Sequence, residues 1–210
     1  MTPARSLGMA AAAALLIACA ALLPGCRRQE SPPPAGERPT QGERPMERPK
    51  ERPMTMTITS SAFTHGSPMP ARHTGDGQDL SPPLAWSGVP AGAVELALIC
   101  DDPDAPRAEP WVHWVLYKIP ASASGLAEGV PPSERLASPS GAMQGMNTWP
   151  VVGYRGPAPP RGHGVHHYRF HLYALDAALE LQPWLTKAEL LKAMKGHVLA
   201  EAELVGTYQR

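Results

Sequence analysis

The chain has 210 residues, with 19 lysines and arginines against 19 aspartates and glutamates, so its formal net charge is zero. That balance argues against nucleic acid as the main partner, because nucleic-acid binding needs a basic surface. A hydrophobic content of 43% is that of a globular protein, while the 26 prolines are spread unevenly.

The first 25 residues read as a signal peptide. Arg5 gives a short positive start, and Met9–Leu23 is an apolar, alanine-rich run too short for a confident membrane span. It ends in Leu23-Pro24-Gly25-Cys26. This resembles a bacterial lipoprotein signal, with cleavage before Cys26 and acylation of its sulfur by lipid such as palmitate. Arg27, and no aspartate, follows the cysteine, which favours the outer over the inner membrane, facing the periplasm. Cys19 leaves with the signal and Cys26 becomes a thioether, so Cys100 is the one thiol left and no intramolecular disulfide can form. Cys100 lies in an apolar run and reads as a small buried hydrophobe.

Residues 26–53 read as a linker. Glu-Arg-Pro occurs four times, at residues 37–39, 43–45, 47–49 and 51–53. With almost no apolar residues, such a segment cannot bury a core. Recurrent proline favours polyproline II geometry, which over about 25 residues reaches roughly 80 Å. A spacer between membrane and domain is the expected role.

Residues 54–210 form one domain. Met54–Phe63 alternates and is β-branched, which predicts a strand, and His65–Pro90 reads as loop with Trp86 packed against the core. Ala93–Cys100 predicts a buried strand. It breaks into Asp101, Asp102, Pro103, Asp104 and Pro106, where the prolines bias Asp102 and Ala105 towards extended geometry. A carboxylate fixed at the end of a buried strand is costly unless something meets it. His113–Ile119 predicts the next strand, with His113, Val115, Tyr117 and Ile119 on one face. Pro120–Gly145 reads as a long irregular connection. His166–Leu175 predicts a strand that puts His166, Tyr168, Phe170 and Leu172 on one face and His167, Arg169, His171 and Tyr173 on the other. Thr186 and Glu189 form a capping box for a helix with Leu190, Leu191 and Met194 as its apolar stripe and Gly196 as its stop. His197–Glu203 suggests a second short helix before a last strand. Strands dominate and βαβ alternation is absent, which excludes a doubly wound nucleotide fold.

The polar groups expected to converge are Asp102, Asp104, His113, His166 and Tyr168, with Arg161 nearby. Gly162 and Gly164 bracket His163 and let backbone amides approach a ligand. Pro157, Pro159 and Pro160 stiffen that wall. Two imidazoles, a phenol and open amides suit phosphate or another small oxyanion, and Asp102 favours a ligand with a donor of its own. Two histidines and a carboxylate are also a known iron set, and satisfied core histidines are the plain alternative. Ser81, Ser87, Ser138 and Ser140 lie in no Gly-x-Ser-x-Gly elbow, and Cys100 has no adjacent base, so no catalytic nucleophile presents itself.

At these residues the chain resembles the phosphatidylethanolamine-binding, or Raf kinase inhibitor, proteins, in particular their bacterial branch. One motif matches Asp102-Pro103-Asp104-Ala105-Pro106 with Trp111 and His113; a second matches Gly156, Pro159, Pro160, Gly162, Gly164, His166 and Tyr168. The family's usual arginine before that tyrosine is His167 here, at a position expected to face away from the pocket. The resemblance spans roughly residues 56–209. It implies an antiparallel β-sandwich with one or two short C-terminal helices. It also implies a pocket for phosphate or phosphorylated head groups lined by Asp102, Asp104, Pro106, Trp111, His113, Pro159, Pro160, His166 and Tyr168. The resulting expectation is a non-enzymatic anion-binding domain, with neither metal nor cofactor, tethered to the envelope by lipid on Cys26. The alternative is an inhibitor of a partner kinase or protease acting through the pocket loops.

Overall fold

The computed structural model describes residues 55–210; the expected signal segment and linker, Cys26 and Met54 lie outside them. Two sheets stack face to face. The smaller has three strands in the order β1 (Thr57–Thr59), β3 (Leu84–Ser87), β6 (Gly125–Leu126). The larger has six: β2 (Ser67–Pro68), β9 (Val198–Tyr208), β8 (His166–Leu175), β4 (Glu95–Asp102), β5 (Trp111–Pro120) and β7 (Met143–Gln144). All pairings are antiparallel except β2 with β9, which is parallel.

The main core lies between the sheets. Ile58, Leu84, Trp86 and Leu126 of the small sheet meet Leu96, Leu98, Cys100, Trp114, Leu116, Phe170 and Leu172 of the large one. Period-two alternation explains this: even-numbered residues of β4 face inward, and the odd-numbered Ala97 and Ile99 face a second core on the other side. There they meet Leu190 and Met194 of α1 (Lys187–Met194). The capping box at Thr186 and Glu189 is formed as expected. Leu191 is 37% exposed and does not belong to the buried stripe. Lys187 ties the helix to β4 through an ion pair with the buried Asp101 carboxylate.

Several boundaries differ from the sequence reading. The first strand is only Thr57–Thr59, because the Ser60 hydroxyl donates to the Pro83 carbonyl and accepts from the Ala62 amide, turning the chain. The presumed loops 65–90 and 120–145 contain the two-residue strands β2, β6 and β7, too short to show a period, and the four-residue β3, whose Leu84 and Trp86 alternate into the core. The second helix is absent: Val198–Tyr208 is one strand paired along β8, with Ala202 and Leu204 turned into the core. Tertiary pairing here overrides the helix propensity of Ala and Glu.

β5 holds the most consequential difference. Its pairing with β4 slips between Cys100 and Asp101, so that Cys100 opposes Trp114 while Asp101 opposes Val112. His113 is therefore the extra residue of a bulge, a device that re-aims side chains. A second slip falls beside Lys118, whose φ is 54°. As a result Val115 and Tyr117 face the helix side, whereas Trp114, Leu116 and Ile119 face the sandwich core. The expected single face of His113, Val115, Tyr117 and Ile119 is thus broken twice.

Gln144 pins the 131–133 loop to this core. Its Oε1 accepts from Trp114 Nε1 at 2.7 Å, and its Nε2 donates to the Pro131 and Ser133 carbonyls at 2.8 Å each. Gln144→Leu strands an indole donor in a fully buried site, so a loss of about 2–4 kcal/mol is expected in urea unfolding. A loss below about 1 kcal/mol would show that the loop re-pairs without it.

Candidate functional site

Where β4, β5 and β8 end, the sheet opens into a cavity of about 340 Å³. It is lined by Asp102, Ala105, Pro106, Trp111, His113, Trp149, Ala158, Pro159, Pro160, His166 and Tyr168. Residues of the two segments singled out in the sequence, 101–120 and 156–168, therefore do meet around one hollow.

Asp102 is the floor's only carboxylate, and it is 4% exposed. It is met twice. His166 Nδ1 lies 2.7 Å from its Oδ2, and the Asp104 amide donates to its Oδ1 at 2.8 Å. His166 is 1% exposed and both of its nitrogens are engaged, since Nε2 lies 2.7 Å from His163 Nδ1. His163 sits on an exposed turn between Gly162 and Gly164, whose φ angles of 73° and 93° favour glycine.

His113 Nδ1 lies against the Arg155 carbonyl oxygen. A carbonyl only accepts, so Nδ1 carries the hydrogen, and in the neutral ring Nε2 is an acceptor. The ring stands edge-on to Tyr168 and Trp149, with centroids 5.0 and 5.2 Å away. Burial pulls its pKa below the ordinary imidazole value, against the opposing pull of the Arg155 carbonyl and of Asp102, Asp101 and Asp79. Burial drives the Tyr168 phenol the other way, far up, aided by the charge on Asp102, so Tyr168 remains an O–H. Tyr168 Oη and Trp111 Nε1 are the two buried side-chain polar atoms without a partner among the described residues.

Not every expected residue lines the cavity. Asp104 is half-exposed and faces outward, where its Oδ2 accepts from the His167 amide and lies 2.8 Å from His167 Nδ1. It clamps the two segments together. His167 accordingly points away from the pocket, as expected. Gly162 and Gly164 shape the His163 turn rather than offering amides to the hollow; the Gly162 amide donates to the Arg210 carbonyl at 3.2 Å. Arg161 is exposed and is not among the lining residues of the cavity. The sequence reading missed Trp149, an isolated aromatic ahead of Pro150 in a polar loop, and the engagement of His163 with His166. Cys100 is buried behind the floor, and burial, with Asp101 and Asp102 adding, pushes its thiol well up, which suits a packed hydrophobe. Among the described residues no group of three or more His, Cys, Asp or Glu side chains is placed to hold a metal ion.

The sequence profile of the phosphatidylethanolamine-binding protein family matches residues 59–209. The chain belongs to this family. Relatives agree in extent: a UPF0098 protein of Methanothermobacter thermautotrophicus is 52% identical over 155 residues, covering 74% of this chain and 99% of its own. A Mycobacterium tuberculosis protein named as a lipoprotein, LppC, is 40% identical over 154 residues, covering 73% and 72%. Among solved structures, a phosphatidylethanolamine-binding protein homolog from Chlamydia trachomatis has a TM-score of 0.68 at 42% identity, covering 75% of this chain and 99% of that one. Escherichia coli YbcL, titled a member of the mammalian family, has a TM-score of 0.69 at 31% identity, covering 74% and 98%. The two motifs thus bracket the cavity, and His167 sits outside it.

The depressed His113 pKa has a consequence for stability. The unfolded chain binds a proton at an ordinary value of about 6.5, and the folded ring resists it, so stability is present above that value and lost as the pH falls below it. His113→Gln is expected to flatten that part of the slope when unfolding midpoints are compared at about pH 7.5 and 5.5. An unchanged slope would mean that His113 does not contribute to it.

Proposed function

We propose that the cavity binds phosphate-type anions or phosphorylated head groups, and that the protein is a non-enzymatic binding protein of the cell envelope. One observation carries the reading. Two buried donors, Tyr168 Oη–H and Trp111 Nε1–H, have no partner within the protein, and both belong to residues of one cavity. A buried donor left unpaired costs about 1–3 kcal/mol, so an acceptor-bearing ligand gains what the empty site lacks. Stiff walls at Pro106, Pro159 and Pro160 support the same reading, because they lose little freedom on binding. Membership of a family named for phosphatidylethanolamine binding agrees with it.

Tyr168→Phe separates binding from folding. Removing an unpaired hydroxyl should leave the empty protein as stable as before or more so, by up to about 1 kcal/mol, while weakening phosphorylethanolamine binding tenfold or more in calorimetric titration. Unchanged affinity in that variant would place the ligand elsewhere.

The envelope location rests on the Leu23-Pro24-Gly25-Cys26 pattern, on the Glu-Arg-Pro spacer, and on the relative named as a lipoprotein. In this reading the lipid on Cys26 holds the domain at the outer membrane, facing the periplasm. Cys26→Ser is expected to move the protein from the membrane to the soluble fraction on cell fractionation. A variant that stays with the membrane would exclude acylation there as the anchor.

A further inference from the structure

The chemistry of the cavity specifies more than negative charge. Its donors are the indole of Trp111 and the phenol of Tyr168, both neutral. Neither lysine nor arginine is among its lining residues. Guanidinium groups stand around it without lining it: Arg107 lies 5.1 Å over the Trp111 ring, Arg155 5.3 Å over the Trp149 ring, and Arg210 donates to the Ala158 and Pro159 carbonyls. The single ionisable carboxylate of the lining is Asp102, and it is buried. A dianion entering here meets like charge with no cation among the lining residues to offset it.

The acceptor side is equally defined. His166 has nothing to offer, since Asp102 and His163 occupy both its nitrogens. His113 commits its Nδ1 hydrogen to the Arg155 carbonyl, so the neutral ring presents a lone pair at Nε2. Burial keeps the ring neutral against the pull of the Arg155 carbonyl and of the Asp102, Asp101 and Asp79 carboxylates, while the Tyr168 phenol from β8 and the Trp149 ring pack edge-on to it. A ligand that fills this site therefore accepts from two donors and donates to one acceptor.

We propose that the cavity selects an oxyanion that still carries a proton, a singly ionised phosphate or phosphonate, over anions of the same shape that can only accept. The inference rests on the anion-binding reading above and narrows its ligand class. A bare sulfonate matches the shape and the single charge but leaves His113 Nε2 unpaired in a buried site, and an unpaired buried acceptor lowers affinity by about tenfold or more.

Methylphosphonate and methanesulfonate provide the test, since both are tetrahedral, carry one methyl group and differ in the P–OH hydrogen. Their dissociation constants are measured by calorimetry on the unmodified protein at about pH 7, above the ordinary imidazole value of about 6.5, where the phosphonate is largely singly ionised. A preference of about tenfold or more for methylphosphonate is expected. In His113→Phe, which removes the acceptor, the two anions should bind alike; a preference that survives there assigns it to another group and overturns the role of His113. Equal binding, or tighter binding of the sulfonate, to the unmodified protein overturns the inference and leaves the anion site standing. Binding of neither anion overturns the anion site itself, and the inference with it.

Discussion

A carboxylate inside the end of a sheet sets the terms for everything around it. Asp102 cannot stay charged at 4% exposure without partners, because water is the stronger solvent for an ion. The chain meets it with a histidine from the neighbouring strand and with an amide from its own turn. The first of these partners comes from 64 residues later, so the demand of one side chain joins two distant segments. Once they are joined, the prolines on both sides form walls and the space between them becomes the cavity. Asp104 repeats the arrangement on the outside, where its bonds to His167 are exposed to water and correspondingly weaker. The same two strands are thus fastened twice, once for the pocket and once at the rim.

Most of this was legible in the sequence, and for identifiable reasons. β8 declares itself by its period, β4 by its continuous apolar run, and the capping box at Thr186 declares the helix. The acidic turn and the late glycine–proline segment carry rare residues in a rigid setting, so their convergence could be argued before any coordinates. Two-residue strands such as β6 and β7 could not, because two residues have no period and their hydrogen bonds are made to elements far along the chain. The Val198–Tyr208 strand was obscured for another reason. Its alanines and glutamates favour helix, and only the pairing with β8 decides otherwise. Asp104, Gly162 and Gly164 show the limit of motif reasoning within the site: each belongs to the motif, yet each supports the pocket from outside it.

The unpartnered phenol and indole add a thermodynamic side to the fold. A sandwich optimised only for stability would cover or replace them, since apolar rings of similar shape pack at no desolvation cost. Here they stand beside a neutral imidazole and behind rigid proline walls. In the proposed reading these two donors serve a ligand and not the fold.

The inserted residue at His113 has a consequence for how this domain can change over generations. Side-chain replacement in β5 disturbs one spot, but removing a single residue there would restore regular pairing and rotate the strand on one side of the deletion by half a period. Either the imidazole would then leave the hollow, or Trp114 and Leu116 would exchange places with Val115 and Tyr117 across the sheet. The segment is accordingly tolerant in identity but not in length, and lineages of this domain should vary by insertion and deletion in their loops while keeping this strand's residue count fixed.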